Sequence, residues 1–326
     1  MQPVPMAEVW RGDFLECVHL GHAVIADASG GIVRSWGDPE AVILPRSSCK
    51  MIQALPLVES GADLTTEQLA LACASHNGAE IHVSRVGRWL AELGLSDDAL
   101  RCGPQDPDDE PEHARLIRAH AAPAQMHNNC SGKHAGFLTL TQRMGAGPEY
   151  VDPAHPVQRA VREAFEEVTD QPSPGYVIDG CSAPNFATTL RGLARAMAVF
   201  ASAHERGTAR DRAAQRLVEA MVAHPALVAG EGRACTGLMR AMDGVAVKTG
   251  AEGVFVAILP RQRLGVALKI ADGATRASEA AIAAILVLLG VLDPARPEAR
   301  RLLHRPTLSR RGALAGEVRY ADALGA

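Results

Sequence analysis

The chain has 326 residues, 47% hydrophobic and 21% charged, with a formal net charge of −4. That length supports a large core. The near-neutral charge leaves no electrostatic footprint for nucleic acid, and 4% aromatic content argues against base-stacking platforms, so the expected partner is a small molecule.

The first residues, Met1-Gln2-Pro3-Val4-Pro5-Met6, show no basic region leading into an apolar stretch, so no secretory signal is expected. Residues 7–11, 15–26 and 31–36 read as strands, with Asp27-Ala28-Ser29-Gly30 as a hairpin loop and room for a bulge at Gly21. A helix opens at Pro45, to be ended by Pro56 or Gly61. From about residue 64 the pattern turns helical. Thr65 to Gln68 offers a capping box for a short helix ending at Ser75-His76-Asn77-Gly78. Helical spacing continues over 81–94, 113–121, 132–144, 156–168, 189–204 and 209–223, with a short strand at Tyr176 to Asp179. Strands return at 245–249, 253–260 and 264–271, followed by an apolar helix over 278–290. The most apolar run, 280–292, is too short to span a bilayer. Seven cysteines without C-x-x-C pairing suit a reducing compartment, so a cytoplasmic protein away from membranes is expected.

This order predicts an α+β fold: an antiparallel sheet from both chain ends (1–60 and 245–326) and a helical middle (61–244), forming one catalytic unit.

Three short motifs carry chemistry. Ser47-x-x-Lys50 puts a hydroxyl and an amine one helical turn apart, where a neutral lysine takes the serine proton. A capped helix start with a solvated lysine has the same spacing. Ser75-His76-Asn77 and Lys248-Thr249-Gly250 follow in the order S-x-x-K, S-x-N, K-T-G of penicillin-binding proteins and serine β-lactamases. Ser47 would attack a carbonyl, Lys50 would accept its proton, Ser75 would relay it, and Lys248 would favour the neutral amine by like-charge repulsion. Oxyanion donors would come from the Ser47 N–H and the 250–253 edge. A dense polar run, His127 to Gly136, places Cys130 at helical spacing from Lys133 and His134, and Cys181 could complete a zinc site with them.

These motifs, with Asp179-Gly180-Cys181, resemble the Rhizobium-type (class 3) L-asparaginases over about residues 7–290. The resemblance implies a β-lactamase-like fold, a homodimer, and hydrolysis of L-asparagine to aspartate and ammonia. It makes Ser47 the nucleophile, with Lys50, Ser75 and Lys248 in two serine–lysine pairs. Cys130, Lys133 and Cys181 match that family's zinc ligands, the zinc lying near the substrate and serving binding more than attack. His134 matches the polar residue beside them, and Cys235 a further site cysteine. Arg46, Asn77 and Asp179 are candidates for holding the substrate. A glutaminase, a β-lactamase-like serine hydrolase, and a zinc-binding structural protein of the same fold are the alternatives.

Overall fold

The computed structural model describes residues 1–325 and divides into two compact units. The first comprises residues 1–48, 188–202 and the chain from Gly237 onward; the second comprises residues 49–187 and 203–236.

The first unit is built on an eight-stranded antiparallel sheet. Its order runs His304–Leu308, Leu314–Tyr320, Val4–Arg11, Phe14–Asp27, Leu264–Ile270, Val254–Leu259 and Ala246–Thr249, with Ile32–Trp36 also pairing Phe14–Asp27. Both chain ends therefore build one sheet, as the element order predicts. The 14-residue strand Phe14–Asp27 joins them: residues 14–21 pair with the N-terminal strand and residues 21–27 with Leu264–Ile270. The bulge expected at Gly21 falls elsewhere. Register shifts leave Met6 and Glu16 as the extra residues, and Gly21 instead allows close approach, since a Cβ there would lie 2.5 Å from the Lys269 carbonyl oxygen. The Asp27 carboxylate closes the predicted hairpin loop, accepting from Ser29 N at 2.8 Å and Gly31 N at 3.0 Å.

Helix Leu190–Ala201, capped by the Thr189 hydroxyl on Gly192 N at 3.0 Å, packs on this sheet. Gly265 is the notch that admits it: an added Cβ would stand 2.1 Å from the Ala194 carbonyl oxygen. Helix Thr275–Leu288 also packs on the sheet, and every residue of Val254–Leu259 is buried, as expected of a strand covered on both faces. Helix Pro297–Leu303 and the last two strands lie beyond residue 290, where the elements expected from the sequence pattern end; Leu308 and Leu314 are exposed, so the hydrophobic alternation of those strands is weak.

The second unit is mostly helical around Ser131–Arg143, which is buried through Thr141. A helix buried all round needs close neighbours. Gly132 and Gly136 provide them: added Cβ atoms would meet the Leu71 carbonyl oxygen at 2.4 Å and Leu57 Cδ2 at 2.9 Å. The predicted capping box is present at Thr66–Ala72, where Gln68 N donates to Thr65 Oγ1 at 3.2 Å and Thr65 N to Gln68 Oε1 at 2.9 Å. Strands Tyr176–Ile178 and Pro184–Phe186 form a small hairpin.

The helix expected at Pro45 is segmented. A 3-10 turn, Arg46–Cys49, leads into the short helices Lys50–Gln53 and Leu55–Glu59; Pro56 sits in the first turn of the latter, where proline is tolerated, and the run ends near Gly61 at φ +70°.

Gly265→Ala and Gly132→Ala should each destabilise the protein by about 1–3 kcal/mol in urea denaturation, whereas Gly147→Ala, with open space around its Cα, should leave the midpoint in place. Thr65→Ala should cost about 1 kcal/mol through loss of its cap.

Candidate active site

In the sheet unit the site is organised by the turn Pro45–Ser48. The Pro45 carbonyl oxygen accepts from Ser48 N at 3.2 Å and Ser48 Oγ at 2.7 Å, so Ser48 serves the turn. Ser47 is half-buried, and its hydroxyl makes no hydrogen bond among the described residues. Arg46 takes up φ +52°, a left-handed conformation that a side-chain-bearing residue adopts at a cost of about 1–2 kcal/mol.

The end of strand Ala246–Thr249 lies against this turn. A Cβ on Gly250 would stand 2.7 Å from the Pro45 carbonyl oxygen and 3.2 Å from Ser48 N, so only glycine permits the approach. Lys248 is fully buried, and its Nζ donates to the Thr249 carbonyl oxygen at 2.8 Å. The Gly250 N–H, expected among the oxyanion donors, is spent on the Val254 carbonyl oxygen at 2.7 Å.

In the helical unit Lys50 is buried. Its Nζ lies 2.5 Å from the Ala74 carbonyl oxygen, 2.9 Å from Ser75 Oγ, 3.0 Å from Cys130 Sγ and 3.5 Å from the Asn129 carbonyl oxygen. Ser75 of the second predicted motif is thus joined directly to Lys50 of the first. The loop bearing Ser75 is fixed by backbone bonds, Ser75 N to the Val228 carbonyl oxygen at 2.9 Å and His76 N to the Asn129 carbonyl oxygen at 3.2 Å. His76 Nδ1 accepts from Gly78 N at 3.2 Å, which leaves its neutral ring with the proton on Nε2 to donate to Ser131 Oγ at 2.9 Å. Asn77 bonds Asp109 Oδ2 at 3.3 Å and packs on Gly230, where a Cβ would come within 2.4 Å of Asn77 Oδ1.

The polar run His127 to Gly136 divides into scaffold and chemistry. His127 Nε2 meets Glu112 Oε1 at 3.2 Å, and Asn128 Nδ2 donates to the Cys102 and Gly103 carbonyl oxygens at 3.0 Å. Arg115, then His127, holds the Glu112 carboxyl below its usual range. Cys130 and Lys133 turn toward Cys181, which belongs to the tight turn Asp179–Ser182 of the hairpin. Lys133 Nζ lies 3.1 Å from Cys181 Sγ. The neighbouring Cys130 and the Lys133 ammonium hold the Cys181 thiol well below its usual range, while Cys130, whose S–H donates to Asn129 Oδ1 at 2.9 Å, is raised by Cys181 and by burial. Burial opposes the Lys133 charge, but the two sulfurs outweigh it and raise its pKa.

His134 is fully buried, and burial pushes its imidazole down to about 4. Asp179 accepts from Gly180 N at 2.7 Å through its own carboxylate and is half-buried. Cys235 is buried in the first turn of helix Ala234–Ala241.

Tyr150, which carries no motif, also belongs here: it is fully buried, with its hydroxyl 2.9 Å from His134 Nδ1. A compositional signal does point to the amines. Only four of the 33 basic residues are lysine, Lys50, Lys133, Lys248 and Lys269, and the first three are buried. Lysine can lose its proton where arginine cannot, which explains keeping it for such positions.

Among the described residues no three His, Cys, Asp or Glu side chains converge to hold a metal ion. The set expected for zinc contains only two of these, Cys130 and Cys181, with the Lys133 amine as the third; soft sulfur and nitrogen donors are the chemistry zinc prefers. Also among the described residues, no helix is long and apolar enough to cross a membrane.

No curated protein matches the chain in sequence. Among solved structures it is similar to Mglu in its native form, at 15% identity over 79% of this chain and 61% of that one, with a TM-score of 0.42. The chain thus spans less than two thirds of that protein's length. It is similar also to a D-alanine carboxypeptidase, AmpC, from Burkholderia cenocepacia, at 15% identity over 78% and 88% of the two chains, TM-score 0.38. A β-lactamase from Mycobacterium bovis matches at 15% identity over 82% and 94%, TM-score 0.33. At these TM-scores the likenesses carry no weight, and the α+β class rests on the antiparallel sheet itself. The model of the L-asparaginase II family matches residues 7–320, tail strands included, and the chain belongs to that family.

Proposed function

We propose that the protein is an amidohydrolase that converts L-asparagine to aspartate and ammonia through an acyl-enzyme on Ser47. The observation that carries this reading is the buried Lys50 Nζ–Ser75 Oγ bond of 2.9 Å, three residues on from a serine whose hydroxyl is unengaged. Ser47 Oγ attacks the side-chain amide carbon while Lys50, as the neutral amine, takes its proton. The C–N bond then breaks as the proton passes, by way of Ser75, to the leaving nitrogen, which departs as ammonia. Water hydrolyses the ester, releasing aspartate and restoring the serine. Lys248, two residues before the Gly250 that abuts the turn bearing Ser47, would add positive charge where the carbonyl oxygen gains negative charge.

Arg46 and Asp179 have the charges to hold the substrate α-carboxylate and α-ammonium, with Asn77, His134 and Cys235 as further binding residues. Cys130, Cys181 and Lys133 would hold a zinc ion, with Lys133 as the neutral amine. Such an ion would supply a Lewis acid that aids binding rather than attack. A homodimer in the cytoplasm belongs to the same reading, and seven cysteines without C-x-x-C pairing fit a reducing compartment.

Ser47→Ala should lower ammonia release from asparagine by about a thousandfold or more, with melting temperature and zinc content unchanged. Higher turnover on glutamine than on asparagine would change the substrate, and no ammonia from either would sink the assignment. Cys181→Ala or Lys133→Met alone should each remove bound zinc, read by elemental analysis. In metal-free protein each should cost about 3–5 kcal/mol by stranding a buried charge, and the double variant less than the sum.

A further inference from the structure

We propose that Tyr150 is a positioning residue of this site: it fixes the tautomer of His134, with the single ring proton on Nε2. The inference deepens the function proposed above and rests on it for its catalytic consequence, but its structural core stands on geometry alone.

The Tyr150 oxygen has two partners, the Arg101 backbone N–H at 2.7 Å and His134 Nδ1 at 2.9 Å. A backbone N–H can only donate, so Arg101 takes an acceptor lone pair and leaves the phenol proton to be placed. His134 Nδ1 is the acceptor within reach. If Nδ1 carried the proton instead, the phenol proton would be buried with no acceptor among the described residues, at a cost of about 1–3 kcal/mol. The neutral imidazole therefore holds its proton on Nε2.

That nitrogen is itself buried without a hydrogen-bond partner. With Nδ1 engaged by Tyr150, Nε2–H is the ring donor left for the substrate group that His134 would hold in the function proposed above.

The rest of the array is rigid. Arg101 is clamped by Nη1 bonds to the Asp98, Ala99 and Leu100 carbonyl oxygens at 3.0–3.1 Å and by Glu149 at 3.0 Å. Gln158 Nε2 holds the Tyr150 carbonyl oxygen at 2.7 Å, and the Tyr150 ring meets His134 edge-on at 5.4 Å between centroids. A chain of fixed dipoles thus runs from the Arg101 backbone through Tyr150 to His134.

The test is ¹⁵N NMR of the full-length protein labelled at histidine, with the His134 signals assigned by their loss in His134→Gln. The expected wild-type pattern has the proton on Nε2 and Nδ1 as a hydrogen-bonded acceptor. Tyr150→Phe, which keeps the ring, should move Nδ1 to the signal of an unbonded nitrogen or a mixture of tautomers. It should also lower kcat on asparagine by about ten- to hundredfold, with KM within about twofold. A proton on Nδ1 in the wild type overturns the proposal. An unchanged His134 pattern in Tyr150→Phe overturns it too, as does a changed tautomer with unaltered kcat. Wild-type protein that releases no ammonia would instead defeat the function proposed above and leave the tautomer result to be read by itself.

Discussion

A lysine amine taken out of water must find an acceptor for each N–H or give up its proton. This chain buries three of its four lysines, and much of its local structure follows from their needs. Lys50 is met by the loop after helix Thr66–Ala72 and by the start of helix Ser131–Arg143. Lys133 is met by the turn at Cys181, and Lys248 by the backbone of its own strand end. For Lys50 and Lys133 these partners come from separate elements and must be in place together, so both lysines tie loops to helices. Arginine, used at the other basic positions, keeps its charge under any of these conditions and could not serve where a proton must be lost.

Such convergence requires backbones closer than side chains normally allow. Gly132 and Gly136 let the buried helix press on its neighbours in the helical unit, and Gly250 brings the Lys248 strand end onto the Ser47 turn in the sheet unit. At each of these positions the missing Cβ sets the distance between elements that carry functional groups. The glycine of the K-T-G motif is therefore a packing requirement, with its N–H already used in a turn.

Much of this is legible in the chain itself. Strands with alternating apolar residues and β-turn loops, such as 31–36 and 264–271, appear within a residue or two of the pattern, because half-buried strands and exposed loops impose different compositions. The capping box at Thr65 is a local interaction and is equally readable. The tail strands are not, since His304–Leu308 and Leu314–Tyr320 have much of their surface exposed, and the second of them joins the sheet through the N-terminal strand, some 300 residues away. The segmentation of the Ser47 helix is also hidden: proline is compatible with either a helix end or a first turn, and the choice rests on packing.

For the candidate site, the sequence by itself determined the residue types: a serine three before a lysine, the other two motifs, and the cysteine–lysine run, whose spacing is chemical information carried along the chain. The tertiary structure decided which of those groups meet. It joined Lys50 to Ser75 and Cys130, set Lys133 on Cys181, kept the Gly250 N–H for a turn, and brought in Tyr150. A hydrogen bond depends on distances of a few tenths of an ångström between residues far apart in sequence, and those distances are fixed only when the whole core packs.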